Sequence, residues 1–136
     1  MTAQPIDTIR SYHAHIYFDG AEQRRAAETL REEIAQRFTV RIGRWHDRLV
    51  GPHTRAMYQL AFSVAEFPRL VPWLMINRRG LAVLIHPNTG RPKADHLTHA
   101  LWLGEILDIN AAPLPEDERD ADELELAPNT DPTMKP

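Results

Sequence analysis

His13 and His15 stand one residue apart in the stretch SYHAHIYFDG, residues 11–20. If that stretch is a strand, both imidazoles fall on one face, roughly 7 Å apart at the backbone. Two neutral imidazoles at that spacing can reach one ion of iron, zinc, copper or nickel. His53 or His86 could supply a third ligand. A carboxylate such as Asp95 could instead complete a two-histidine, one-carboxylate set with open positions. Tyr17 alternates onto the same face and could exchange a proton there. Arg41, with Arg44 close by, could hold an anionic group. His96 and His99, three residues apart, would face one way on a helix. An H-x-H pair alone is equally compatible with satisfied polar groups in a strand or with contacts between subunits. The weight therefore rests on where the other histidines fall.

Other chemistries are excluded more simply. The 136-residue chain has no cysteine, which removes disulfides, thiolate metal sites and a thiol nucleophile. The stretch NTGRPK, residues 88–93, lacks the glycine spacing of a phosphate loop and reads as a turn. No nucleophile elbow or dinucleotide fingerprint is found. The net charge of −3 gives no footprint for nucleic acid. The apolar runs are too short to span a bilayer, and MTAQPIDTIR is no signal peptide. A soluble cytoplasmic protein is expected.

The elements that must position the histidines follow from periodicity. Residues 12–18 alternate as a strand, and Asp19 with Glu22 reads as a capping box. A helix is expected over 21–37, with Ala27, Leu30, Ile34 and Phe38 at helical spacing. Strands follow at 39–45 and 57–64, separated by a loop that Gly51 and Pro52 break. Pro68 and Gly80 bracket a second helix, in which Pro72 implies a late start or a bend. Residues 81–85 form a fourth strand, and 86–96 a turn-rich loop. The segment LTHALWLGEIL could be helical or extended.

This order, βαββαβ, is the split βαβ or ferredoxin-like motif of the α+β class. It implies a four-stranded antiparallel sheet in the order 4-1-3-2, with both helices on one face. Tyr12, Ala14, Ile16 and Phe18 should meet the helices, while His13, His15 and Tyr17 line the open face. Met57, Leu84, Tyr17 and Trp45 would make that face too apolar to stay bare, so a homodimer through it is expected. The topology also gathers all seven histidines towards one edge. Residues 1–11 read as an arm and 12–110 as the domain. Residues 111–136, acidic and proline-rich, read as an unordered tail.

YHAHIYFD, VRIGRWHDRLVGPHTRAMYQLAF and LAVLIHPNTGRPKADHLTHALWLGE together resemble the DOPA 4,5-dioxygenase family, over residues 12–105. The resemblance implies a ferredoxin-like fold, dimers and a non-haem Fe(II) extradiol dioxygenase. Such an enzyme opens a catechol ring, for example that of L-DOPA, with O2. The family's histidine motifs fall on His13 and His15, on His53 in GPH and on His86 in HPNTG, and a further stretch carries His96 and His99. On this resemblance His13, His15 and His86 are the expected ligands of Fe(II) or another first-row divalent ion. His53, His96 and Tyr17 are the expected acid–base groups, and Arg41, Arg44 and His99 the expected substrate contacts. The alternatives are a non-catalytic dimer that binds a metal or a small aromatic ligand, and a structural module whose open face is buried in another protein.

Overall fold

The computed structural model describes residues 2–117 and 127–136. The alternating stretch forms β1, Ser11–Phe18, and α1 follows as Gly20–Arg37. Ala27, Leu30 and Ile34 make the buried face of α1, as their spacing requires. The capping box is not formed. The Asp19 N–H donates instead to Gln23 Oε1 at 2.9 Å, and no side chain caps the helix at Asp19. The chain then runs through β2 (Arg41–Ile42), β3 (Ala56–Phe62), α2 (Phe67–Asn77), β4 (Val83–Asn88), α3 (Pro92–His96) and β5 (Leu101–Leu103). Helix α2 begins before Pro68 and continues through Pro72. Pro72 has no N–H to donate to the Pro68 carbonyl, so α2 forgoes one intrahelical bond there.

The sheet has five strands rather than four, in the order β2-β3-β1-β4-β5. The first four strands take the expected order. The fifth comes from the segment whose pattern was ambiguous; it pairs with β4, setting Leu84 opposite Trp102. The turn-rich stretch also proved more regular than expected, because β4 extends to Asn88 and a short helix, α3, follows.

Both helices pack on one face. Ala14, Ile16, Phe18, Tyr58, Leu60, Phe62, Val83 and Ile85 share a core with Leu30 and Ile34 of α1 and Leu70 and Leu74 of α2. On the other face Tyr17, Met57 and Leu84 lie beneath Val50, Trp102, Leu107 and Ile109 of the same chain. The apolar groups that called for a second copy are thus covered within one chain. Trp45 departs from its expected place. It packs into the helix-side core, stacked on Phe18 and Tyr58 at 4.3 and 5.6 Å between ring centres. The reason is a change of register. Between Ile42 opposite Leu60 and His46 opposite Met57, the β2 side advances four residues and β3 three. One extra residue flips the faces that follow it.

The end of the chain also differs from expectation. Residues 118–126 of the expected tail lie outside the described residues, but residues 127–136 are held against the body. Asn129 spans the Ile42 backbone, accepting from its N–H at 2.8 Å and donating to its carbonyl at 2.9 Å. The Thr130 hydroxyl accepts from the Val40 N–H, and Gln36 O accepts from the Thr133 N–H. These contacts occupy the β2 edge, which would otherwise expose unpaired backbone groups. Among the described residues no helix is long and apolar enough to cross a membrane. Asn129→Ala is expected to lower stability by about 1 kcal/mol, since two solvent-facing hydrogen bonds are lost. Urea unfolding reads this, and an unchanged midpoint would show the edge contact to be idle.

Candidate metal centre

The register of β1 with β4 sets His13 opposite His86. Alternation along β1 adds His15 on the same face. His53 comes from the loop between β2 and β3. Its N–H donates to Val50 O, and it pairs as an isolated bridge with Ile109. His96 ends α3. These five rings converge: ring centres lie 4.0 Å apart for His86 and His96, 4.2 Å for His15 and His53, and 5.1 Å for His13 and His86. Two overlapping trios have their ring nitrogens within 4.8 Å of one another, His13 with His15 and His86, and His15 with His53 and His96. His15 belongs to both.

The remaining candidates are placed differently. His46 and His99 join neither trio, so five of the seven histidines form the cluster itself. Asp95 is not part of the cluster either. Its carboxylate is buried and accepts from the Thr89 N–H, the Thr89 hydroxyl and the His99 Nδ1–H, at 2.8, 2.7 and 2.9 Å. It clamps the turn between β4 and α3 and fixes His99. Tyr17 is buried beside Trp102, with its hydroxyl 2.6 Å from His53 Nδ1. Arg41 lies opposite Ala61, which lies opposite His13, so His86, His13, Ala61 and Arg41 form one row across four strands. Arg44 is exposed beyond that row.

The electrostatics favour neutral imidazoles. Burial first, then the neighbouring rings, holds His15 and His86 well below the ordinary imidazole value. The same causes push His53 down to about 4. Burial also lowers His96, against an opposing contribution from the Pro92 carbonyl. A neutral imidazole has one nitrogen with a free lone pair, the form a metal takes. Backbone carbonyls select which nitrogen that is. The His86 Nδ1–H donates to Pro87 O at 2.9 Å, and the His96 Nδ1–H to Pro92 O at 2.8 Å. In both, the lone pair sits on Nε2, with the outer hydrogen bond that metal-binding histidines usually carry. The sequence reading missed these two carbonyls; the short stretch from Pro92 to His96, one helical turn long, was the available signal.

The donor set fits a divalent ion. His15 and His86 hold their Nε2 atoms 3.1 Å apart, close to the separation of two nitrogens that share one ion at about 2.1 Å. His15 Nδ1 is buried without a hydrogen-bond partner. Three imidazoles with no carboxylate among them suit iron, zinc, copper or nickel.

An α+β protein with a histidine-lined centre on the open face of its sheet is thereby defined, and comparison with known proteins places it further. The sequence profile of the Dopa 4,5-dioxygenase family matches residues 12–112, and the chain belongs to that family. It is 37% identical over 120 residues to an uncharacterized 21.2 kDa protein of Botryotinia fuckeliana, covering 79% of this chain and 66% of that one. It is 30% identical over 115 residues to a DOPA 4,5-dioxygenase of Amanita muscaria, covering 79% of this chain and 50% of that one. The chain thus spans less than two thirds of the length of these curated relatives. A crystal structure from Nostoc punctiforme, provisionally described as a dioxygenase, superposes with a TM-score of 0.78 at 46% identity, over 80% of this chain and 94% of that one.

The shifted imidazoles fix a pH dependence. His53 titrates near 6.5 when unfolded and near 4 when folded, so the unfolded chain binds more protons between those values. Stability is therefore full above about pH 6.5 and falls as pH drops towards 4, by about 3 kcal/mol from His53 alone. His15 and His86 act in the same direction. Urea midpoints of the metal-free protein should fall steadily from pH 7 to 4.5; a flat profile would mean that the rings are not buried as described.

Proposed function

We propose that this chain is a non-haem Fe(II) extradiol dioxygenase that opens the ring of a catechol such as L-DOPA. The observation that carries the reading is the pair of overlapping histidine trios on the open sheet face. Membership of the Dopa 4,5-dioxygenase family supports it.

On this reading His13, His15 and His86 hold the ion through neutral imidazole nitrogens. When bound, ferrous iron supplies the redox chemistry that joins a catechol to dioxygen. The chain's own residues do the rest. Burial of His15 and His86 keeps bulk water from the ligands. His53 and His96, lying 6.0 Å apart between ring centres, hold and pass the protons that ring opening requires. Tyr17 contacts His53 and belongs to the same acid–base group.

The cross-strand row supports a substrate orientation. Ala61 is the small residue between His13 and Arg41, and neighbouring strands lie about 4.8 Å apart. The Arg41 guanidinium itself donates to the Ala127 carbonyl at 3.3 Å, so it would reach a substrate by leaving that contact. A catechol seated above Ala61 directs its hydroxyls towards His13 and a side-chain carboxylate towards Arg41. Arg44 and His99 complete the proposed substrate contacts. The ferredoxin-like reading of the first four strands belongs to the same proposal, supported by their order in the sheet. So does a homodimer closing over the half-exposed His13 and Gln59.

The test is oxygen uptake by the full chain, loaded anaerobically with Fe(II) and mixed with L-DOPA or caffeate. Equimolar consumption of O2 and catechol, with a yellow product, is expected. No uptake across a panel of catechols would leave the alternative, a non-catalytic protein that binds a metal or a small aromatic molecule. His13→Ala and His86→Ala are each expected to weaken iron binding by at least roughly 100-fold, since even the outer partners of a ligand are worth 10–100-fold. Their circular dichroism should match that of the parent chain. Unchanged iron stoichiometry in both would refute the ligand choice.

A further inference from the structure

Two trios share His15, and one ion does not need both. The tyrosine against His53 separates them. Tyr17 is 1% exposed, and among the described residues its hydroxyl makes a single hydrogen bond, to His53 Nδ1 at 2.6 Å. The buried phenol carries a proton that must be placed. If the His53 Nδ1–H donated to the phenol oxygen, the phenol proton would be left buried without an acceptor, which is the costly arrangement. Such orphans are few in this chain: His15 Nδ1, Arg31 Nη1 and Arg78 Nε are the buried side-chain atoms without a partner among the described residues.

We propose that Tyr17 is a positioning residue, donating its hydroxyl proton to His53 Nδ1 and thereby holding the His53 proton on Nε2. In that tautomer neither nitrogen of His53 offers a free lone pair. Nδ1 accepts from Tyr17, and Nε2 carries hydrogen. His53 is then a proton donor and not a ligand, and the trio with His15 and His96 loses a member. The ion goes to His13, His15 and His86, with Tyr17 and His53 beside it as a fixed acid. His86 and His96 show the contrasting case: each gives its Nδ1 proton to a backbone carbonyl and turns its Nε2 lone pair inward, that of His86 towards His15 Nε2 at 3.1 Å. The catalytic meaning of this assignment rests on the function proposed above; the tautomer itself does not.

The experiment uses the metal-free full chain, 15N-labelled, and reads histidine tautomers by long-range 1H–15N correlation. His53 is assigned as the ring signal lost in His53→Gln. In the parent chain His53 should carry its proton on Nε2 while His86 carries its own on Nδ1. In Tyr17→Phe the His53 signal should move towards the other tautomer and the His86 signal should stay. With Co(II) as the probe ion, affinity in Tyr17→Phe and His53→Gln should stay within about threefold of the parent. A proton on Nδ1 of His53 in the parent chain would overturn the proposal, and that result needs no variant to fold. So would a Co(II) affinity that drops about tenfold or more in His53→Gln, a loss of about 1.4 kcal/mol. Failure of Co(II) to bind the parent chain would instead sink the proposed function and leave the tautomer result standing.

Discussion

The pairing of β1 with β4 in the register that sets His13 opposite His86 governs the open face of this protein. β1 lies at the centre of the sheet, with β3 on one side and β4 on the other. Every second side chain of β1 must therefore lie between two neighbours. On the helix side those positions are Ala14, Ile16 and Phe18, and they anchor the core. On the other side they are His13, His15 and Tyr17. A slip of one residue would drive three polar rings into the core and three apolar groups out. The hydrophobic face thus enforces the placement of the imidazoles.

That placement is expensive for the rings involved. His15 is 2% exposed and His86 1%, and among the described residues no carboxylate stands against either ring to favour its charged form. Both remain neutral, and the His15 Nε2–H donates to the His86 Nε2 lone pair at 3.1 Å, which leaves His15 Nδ1 buried without a partner. With the His15 proton moved to Nδ1, both Nε2 lone pairs would face one ion. The carbonyls of Pro87 and Pro92 occupy the outer nitrogens of His86 and His96, which commits the inner nitrogens to the centre. A divalent ion would take the place of the proton that the two rings share.

Much of this was legible in the sequence because it depends on period. Alternation over residues 12–18 assigned both faces of β1, and the order of elements gave the positions of the first four strands. Details that depend on single hydrogen bonds were not legible. Gln23 rather than Glu22 meets the Asp19 N–H, because the choice turns on side-chain reach. One extra residue near Gly43 moves Trp45 to the helix side, and a bulge leaves no mark on periodicity. Asp95 had the right chemistry for a ligand, but Thr89 and His99 occupy it. The far end of the chain has the composition of a solvated tail, yet Asn129 can mimic a strand and pair with Ile42. Composition reports average burial and not a local match to an open edge.

The central claim is that imidazoles distant in the chain share one ion. X-ray absorption at the iron edge of the Fe(II)-loaded full chain, after removal of unbound metal, tests it most directly. Expected is retained iron with imidazole nitrogens among its near neighbours at about 2.1 Å. Iron surrounded by oxygen alone, or no iron retained, would contradict it.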